Sequence, residues 1–231
     1  MQGLLLVDKP AGWTSFDAVN YVRKIVARME GKRPRQVKVG HTGTLDPFAT
    51  GLLVLLIGKD YTRRAAELSG LDKTYEVTMR LGATSSTGDP EGEITPVSAK
   101  KPAEADIIAA LRKFTGRIEQ VPPAYSAIKV GGQRAYKLAR AGKQVEIEPR
   151  AVTVNRLELL DHSYPDIRLS ADVSSGTYVR SLVGDIGQAL GTGAYTTALR
   201  RTRVGRYDVA GATQPGDISP GNILELADSL I

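Results

Sequence analysis

The chain contains no cysteine and only two histidines, His41 and His162. Disulfides and thiolate zinc sites are thereby excluded, and a histidine-rich metal centre has too few ligands. Carboxylate-held magnesium is the metal chemistry the composition leaves open. The lack of cysteine fits a reducing cytoplasm, the compartment expected here. No apolar run approaches the roughly 20 residues of a membrane-spanning helix, so no membrane association is expected. The N-terminus, Met1-Gln2-Gly3-Leu4-Leu5-Leu6-Val7-Asp8, lacks a basic region and meets an acid too early for a signal peptide. It has the composition of a first strand. A P-loop pattern is missing as well, which argues against nucleotide hydrolysis.

What is present suits one sizeable core: 231 residues, 42% hydrophobic and 24% charged. A single domain over residues 1–231 is expected. The formal charge of +6 is unevenly spread. Arg23 to Lys38 holds seven basic residues against one acid, Glu30, and Lys129 to Lys143 holds five and no acid. Arg200, Arg201, Arg203 and Arg206 make a third group. Any one cluster is ordinary solvated surface; three of them beside Gly-rich or aromatic segments point to nucleic acid.

Periodicity gives the order of elements. A strand over Leu4 to Asp8 is closed by the turn Lys9-Pro10-Ala11-Gly12. A helix from Thr14 to Met29 has Thr14 or Ser15 as cap and Phe16, Val19, Val22 and Val26 as its apolar stripe. Leu52 to Ile57 has the composition of a strand buried on both faces. Then follow a helix over Asp60 to Leu68, a strand over Thr74 to Leu81, a polar loop over Thr84 to Glu93 and a helix over Ala103 to Thr115. After an irregular piece, a short basic helix is expected near Gln133 to Ala141, with strands over Val152 to Leu160 and Ile167 to Val173. A helix over Thr177 to Leu190, a strand-like Tyr195 to Tyr207 and a short terminal helix complete the chain. Without regular βαβ alternation, the class is α+β with a mixed, mainly antiparallel sheet.

The most informative segment is Gly40-His41-Thr42-Gly43-Thr44-Leu45-Asp46-Pro47-Phe48-Ala49-Thr50-Gly51. Asp46 precedes a proline, which suits a turn or a cap. Gly43 and Gly51 also permit close approach of a ligand, and Thr42 and Thr44 offer hydroxyls. His41 is either a satisfied polar residue or a wedge beside a base. Arg180 stands in the first turn of its helix, where the macrodipole disfavours a cation. A carboxylate or phosphate should oppose it, with Asp172 or Asp185 as structural candidates. Tyr75, in its strand, is either core or part of a site.

These segments resemble motifs of the bacterial tRNA pseudouridine synthase B family. The Asp46 segment resembles its catalytic-aspartate motif, and Leu5-Leu6-Val7-Asp8-Lys9-Pro10-Ala11-Gly12 its opening strand and Lys-Pro turn. Lys73-Thr74-Tyr75 is similar to the tyrosine segment, and Pro123-Ala124-Tyr125-Ser126-Ala127-Ile128-Lys129 with the basic helix to an RNA-gripping insertion at about 121–150. Ser175-Gly176-Thr177-Tyr178-Val179-Arg180-Ser181 is similar to the arginine motif, and Ala198-Leu199-Arg200-Arg201 to the late active-site leucine segment.

The resemblance implies the pseudouridine synthase fold and conversion of uridine-55 in the T-loop of tRNA. It makes Asp46 the essential aspartate, paired with Arg180, with Tyr75 and Leu199 against the flipped uracil. His41 would enter the T-loop and Lys9 would support the site, while Thr44 and Tyr178 join the substrate-binding residues. Lys129, Arg134, Lys137, Arg140 and Arg200 would contact RNA. No metal, organic cofactor or obligate protein partner is expected, and a monomer is. Family members usually continue into a C-terminal RNA-binding domain of the PUA type; the chain ends at Ile231, and none is expected here. The rival readings are a non-catalytic tRNA-binding chaperone on the same fold and a glycosidase-like hydrolase, the latter lacking a second carboxylate.

Overall fold

The apolar N-terminus forms β1 (Gly3–Lys9), buried along almost its whole length in the computed structural model, which describes residues 1–225. Helix α1 (Ser15–Met29) starts on a capping box: Thr14 Oγ1 accepts from the Asp17 amide at 3.0 Å, and the Asp17 carboxylate accepts from the Thr14 amide at 2.8 Å. Ala18, Val19, Val22 and Val26 form its inner stripe. Phe16, which the spacing assigned to that stripe, is instead 61% exposed. The first turn buries Ser15, whose hydroxyl donates to the Leu45 carbonyl at 3.1 Å and accepts from the Leu45 amide at 2.8 Å. Phe16, one position round the helix, is thereby turned outward.

A 3-10 turn at Pro34–Gln36 leads into β2 (Val39–His41), too short to show a period in the sequence. It lies antiparallel to β3 (Thr50–Ile57), which is buried as its apolar run requires. The helix expected over Asp60 to Leu68 is two short ones, α2 (Lys59–Arg63) and α3 (Ala65–Ser69), broken at Arg64. In β4 (Lys73–Leu81) alternate residues are buried: Lys73, Tyr75, Val77, Met79 and Leu81. β5 (Ala83–Ser85) and β6 (Ile94–Pro96) pair across the predicted polar loop.

Helix α4 (Glu104–Lys113) buries Ile107, Ala110 and Leu111 and is followed by β7 (Gly116–Gln120), a strand the sequence reading missed. The irregular piece contains a small hairpin, β8 (Lys129–Val130) and β9 (Gln133–Arg134), turned by Gly131 and Gly132 at positive φ. Helix α5 (Ala135–Arg140) follows it. The long strands β10 (Arg150–Ser163) and β11 (Asp166–Val173) pair antiparallel, and β11 keeps its expected alternation. Helix α6 (Val179–Ala189) buries Val179, Arg180, Leu182, Val183, Ile186 and Gly187. Strands β12 (Ala194–Val204), β13 (Tyr207–Asp208) and β14 (Ile223–Leu224) complete the described chain. The predicted terminal helix lies outside the described residues.

The chain divides into two units, Met1–Tyr75 with the segment from Leu199 onward, and Glu76–Ala198. In the first, strands run in the order β14-β1-β3-β12-β4. β1 is antiparallel to β3, whereas β12 meets β3 in parallel through Arg200↔Thr50 and Arg201↔Gly51. Its core gathers Leu4, Leu6, Leu52, Val54, Leu56, Leu68 and Val204. In the second unit the order is β12-β4-β11-β10-β7, accompanied by α4, α5 and α6. The class is α+β, with a mixed, mainly antiparallel set of strands.

Gly51 marks where β12 reaches β3. Its φ is +99°, and a Cβ there would stand 2.3 Å from the Arg201 carbonyl oxygen and 2.8 Å from the Arg201 amide nitrogen. Both the left-handed backbone and the close approach demand glycine. Gly51→Ala should therefore lower unfolding free energy by about 3 kcal/mol, measured by urea denaturation. Gly216→Ala, where a Cβ meets nothing within 4 Å, is the control. A loss at Gly51 no larger than the control's would refute this account of the junction.

Candidate active site

Asp46 lies half-buried in the loop between β2 and β3, in a turn closed by the Ala49 amide on the Asp46 carbonyl at 3.1 Å. Side chains from three other segments hold this loop. Ser15 of α1 brackets Leu45 through both backbone groups. Lys9 Nζ donates to the Pro10 and Trp13 carbonyls at 2.9 and 2.7 Å, and to Pro47 at a longer 3.4 Å. The Gly12 amide adds a 2.8 Å bond to the Pro47 carbonyl, so the Lys-Pro turn and the Asp-Pro turn are stitched together. From β12, Arg201 Nε donates to the Leu52 carbonyl at 2.7 Å and Nη2 to the Gly43 carbonyl at 3.1 Å.

The three ammonium donors of Lys9 are thus turned on the main chain, which makes it a strut of the loop. It is fully buried, and burial lowers its pKa from the ordinary 10.5 to about 8, with the Asp46 charge opposing the shift and the Arg201 charge adding to it. Lys73 behaves alike: buried, donating to the Ser69 and Leu71 carbonyls at 2.6 Å each, and lowered by burial to about 8. Arg201 was read as a member of a basic cluster and of the leucine segment, with no role of its own, yet it is 2% exposed. Strand alternation was the available signal, since Arg201 lies two residues from buried Leu199 and shares its face.

Tyr75 is buried on the face of β4 that carries Lys73, and Leu199 is buried on β12. His41, at the end of β2, is half-buried; its Nδ1 is buried and without a hydrogen-bond partner among the described residues. Burial first, and the Arg201 charge second, push its pKa below 6.5, so the ring is neutral near pH 7. Thr44 is exposed on the loop. Arg200 has two N–H groups on the Asp8 carboxylate at 3.0 and 2.8 Å, an engagement within the protein that its expected RNA contact did not anticipate.

In the second unit, Arg180 is almost fully buried at the second position of α6. Its Nη1 donates to the Thr87 carbonyl at 2.7 Å and lies 3.2 Å from Asp89 Oδ2, while Nη2 donates to the Tyr125 carbonyl at 2.8 Å. Asp89 is itself buried and accepts from Thr87 Oγ1 at 2.6 Å and the Glu91 amide at 3.0 Å. One carboxylate beside this helix start is Asp89, which was not among the structural candidates, Asp172 and Asp185, that the sequence offered. Gly88-Asp89-Pro90 has the composition of a turn, and only folding over 91 residues of chain reveals its partner.

The start of α6 is fixed by Gln120, whose amide accepts from the Tyr178 N–H at 2.8 Å and donates to the Tyr178 carbonyl at 3.1 Å. The Arg150 guanidinium lies over the Tyr178 ring at 5.0 Å and donates to the Gly176 carbonyl. On the β8–β9 hairpin and α5, Lys129, Arg134, Lys137 and Arg140 are all exposed. Among the described residues no group of three or more His, Asp or Glu side chains gathers in a metal-holding arrangement, and no helix is long and apolar enough to cross a membrane.

Residues 29–179 match the family described as TruB family pseudouridylate synthase (N terminal domain), and residues 180–219 the tRNA pseudouridylate synthase B C-terminal domain. The chain is 48% identical over 210 residues to tRNA pseudouridine synthase B of Pseudomonas putida, covering 91% of this chain and 66% of that protein. It is 47% identical over 240 residues to tRNA pseudouridine synthase B of Leifsonia xyli subsp. xyli, covering 99% and 76%. Among solved structures, a chain of a crystallised Cbf5-Nop10-Gar1 complex superposes with a TM-score of 0.69 at 29% identity, covering 93% of this chain and 53% of that one. The chain thus spans just under two thirds of the Pseudomonas relative and about half of the matched Cbf5-Nop10-Gar1 chain.

The Lys9 assignment predicts an amine titration near pH 8 by NMR, against 10.5 for an ordinary lysine. Between those values the unfolded chain keeps a proton that the folded chain has lost, so this group makes stability rise with pH across the window. Lys9→Met should flatten that rise in urea unfolding measured from pH 7.5 to 10.5. Identical pH slopes in wild type and variant would reject the assignment.

Proposed function

We propose, because the chain belongs to the TruB family of pseudouridylate synthases, that it is a tRNA-modifying isomerase converting uridine-55 of the T-loop to pseudouridine. The observation that carries this reading is the Asp46 turn, an acid whose flanking residues are each anchored by a buried side chain: Leu45 by Ser15, Pro47 by Lys9 and Gly43 by Arg201. A carboxylate so placed suits a reaction in which one group must act at a defined point.

In the reaction the N1–C1′ bond breaks, the uracil turns, and a C5–C1′ bond forms. C5 gives up its proton and N1 gains one, so the product is an isomer and no electrons are exchanged. Such chemistry needs neither a redox cofactor nor a metal Lewis acid. Asp46 serves it as nucleophile or as base, and Arg180 is its proposed cationic partner. Tyr75 and Leu199 are the proposed walls for the extruded base. Neutral His41 suits insertion among stacked bases better than an imidazolium would, because desolvating a neutral ring costs less. Lys9 acts through the loop and not on the nucleotide. The exposed cations of α5 and of the β8–β9 hairpin contact the T-arm phosphates, giving salt-sensitive binding. We read residues 1–231 as one catalytic domain acting as a cytoplasmic monomer, without an obligate protein partner.

Purified protein should form pseudouridine in an unmodified tRNA transcript, and Asp46→Asn should reduce turnover by at least a thousandfold while binding stays within about threefold. Wild-type protein that binds the RNA but forms no pseudouridine would establish a chaperone instead. Arg180→Ala should cost far more in turnover than in affinity; equal losses would remove its proposed role as the partner of Asp46.

A further inference from the structure

We infer that the outer face of α1, with the segment leading into β2, forms a second RNA site that holds backbone phosphates and stacks a base on Phe16. The inference rests on the enzyme reading above only for the identity of the RNA. An open pocket of about 450 Å³ is lined by Asn20, Arg23, Lys24, Arg35 and Lys38, among others, and among the described residues no carboxylate lines it. Glu30, the one acid of this stretch, is engaged elsewhere, by the N-terminal amine and by Lys32 at 3.3 Å. Four cations with no ion pair among the described residues make the pocket electropositive, which favours an anionic ligand.

Arg23 is oriented before any ligand arrives: Nη1 donates to Asn20 Oδ1 at 2.6 Å and Nη2 to the Val39 carbonyl at 3.4 Å. Lys24, Arg35 and Lys38 are exposed around it. A basic pocket alone would suit any phosphate. Phe16 narrows the class. It is 61% exposed and precedes Asn20, Arg23 and Lys24 by four, seven and eight positions, which places all four on one stripe of the helix. The stripe runs about 12 Å from the phenyl ring to Lys24, the reach of several nucleotides and not of one phosphate ion. An exposed aromatic beside a cationic groove is the arrangement that binds single-stranded nucleic acid. β2 then connects Lys38 to His41 in three residues, about 10 Å at strand rise, so the pocket is close in the chain to the residue proposed to enter the RNA loop.

The test uses the full chain with Arg35→Gln/Lys38→Gln and, separately, Phe16→Ala, all at exposed side chains. Binding of an unmodified tRNA transcript is measured over a salt series, and pseudouridine formation is measured with the same proteins. The double variant should raise Kd by roughly five- to tenfold near 0.1 M salt and reduce the slope of log K against log salt by about 2. Phe16→Ala should raise Kd at least about fivefold with the slope unchanged, since stacking releases no counterions. Both losses should fall on KM, not on kcat. Wild-type affinity and slope in the double variant, with wild-type protein still modifying tRNA, would overturn the pocket and leave the enzyme reading intact. Reduced slopes in a protein that forms no pseudouridine would keep the pocket and remove the enzyme reading. Inorganic phosphate followed by NMR at Val37 to Val39 supplies the last arm. Saturation at micromolar phosphate, with RNA affinity unmoved by either variant, would assign the pocket to a small phosphorylated ligand and overturn the proposal.

Discussion

Carbonyl groups under the Asp46 loop are satisfied by buried cations. Lys9 and Arg201 between them take the carbonyls of Pro10, Trp13, Pro47, Gly43 and Leu52. Taking a cation out of water costs several kcal/mol, and apolar residues of like volume would fill the space at less expense. They would not fix where the carbonyls point. The loop has few main-chain bonds of its own, so its geometry comes largely from these donors. The depressed pKa of Lys9 is the trace of that cost. The glycine at position 51 belongs to the same construction, since it lets the backbone of β12 come close enough for Arg201 to reach under the loop.

Arg180 shows the same use of guanidinium donors in the second unit. Two main-chain carbonyls and the Asp89 carboxylate hold it, and Asp89 is in turn held by Thr87 and Glu91. A buried carboxylate near the start of α6 answers the electrostatic difficulty of a cation in a first helical turn. Around it, Gly88 contributes a left-handed backbone and a carbonyl that accepts from the Thr196 amide at 3.0 Å.

The sequence displayed what has local cause. A helix cap at Thr14 or Ser15, the alternation of β11 and the unbroken apolar run of β3 could be read directly, and with them the α+β class. The motif residues could be named, and a supporting role for Lys9 with them, but not the carbonyls that Lys9 and Arg201 hold. Lys9 and Arg201 belong to the same composition as solvated cations, and only burial separates a strut from a surface charge. Asp89 was hidden inside a turn-like tripeptide because its partner is remote in the chain. Phe16 was assigned inward because a 3.6-residue period cannot tell which residue of a first turn, Ser15 or Phe16, faces the core. β2, β7 and the β8–β9 hairpin were missed because strands of two to five residues show too few repeats for a period.

Gln120 and Arg150 face each other across β7 and β10, and both grip the chain at Gly176 to Tyr178. Everything between them therefore leaves and rejoins the sheet at a single rung. The 29 intervening positions behave as a cassette: closing a loop costs only about 0.6 kcal/mol more for each doubling of its length. Arg180 takes bearings from Asp89 and from the Thr87 carbonyl outside the cassette, and from the Tyr125 carbonyl inside it. The basic segment can consequently be lengthened, shortened or exchanged during evolution beyond Tyr125 while the start of α6 keeps its place. Under the proposed enzyme reading, recognition of new RNA partners is in that way separable from the chemistry they undergo.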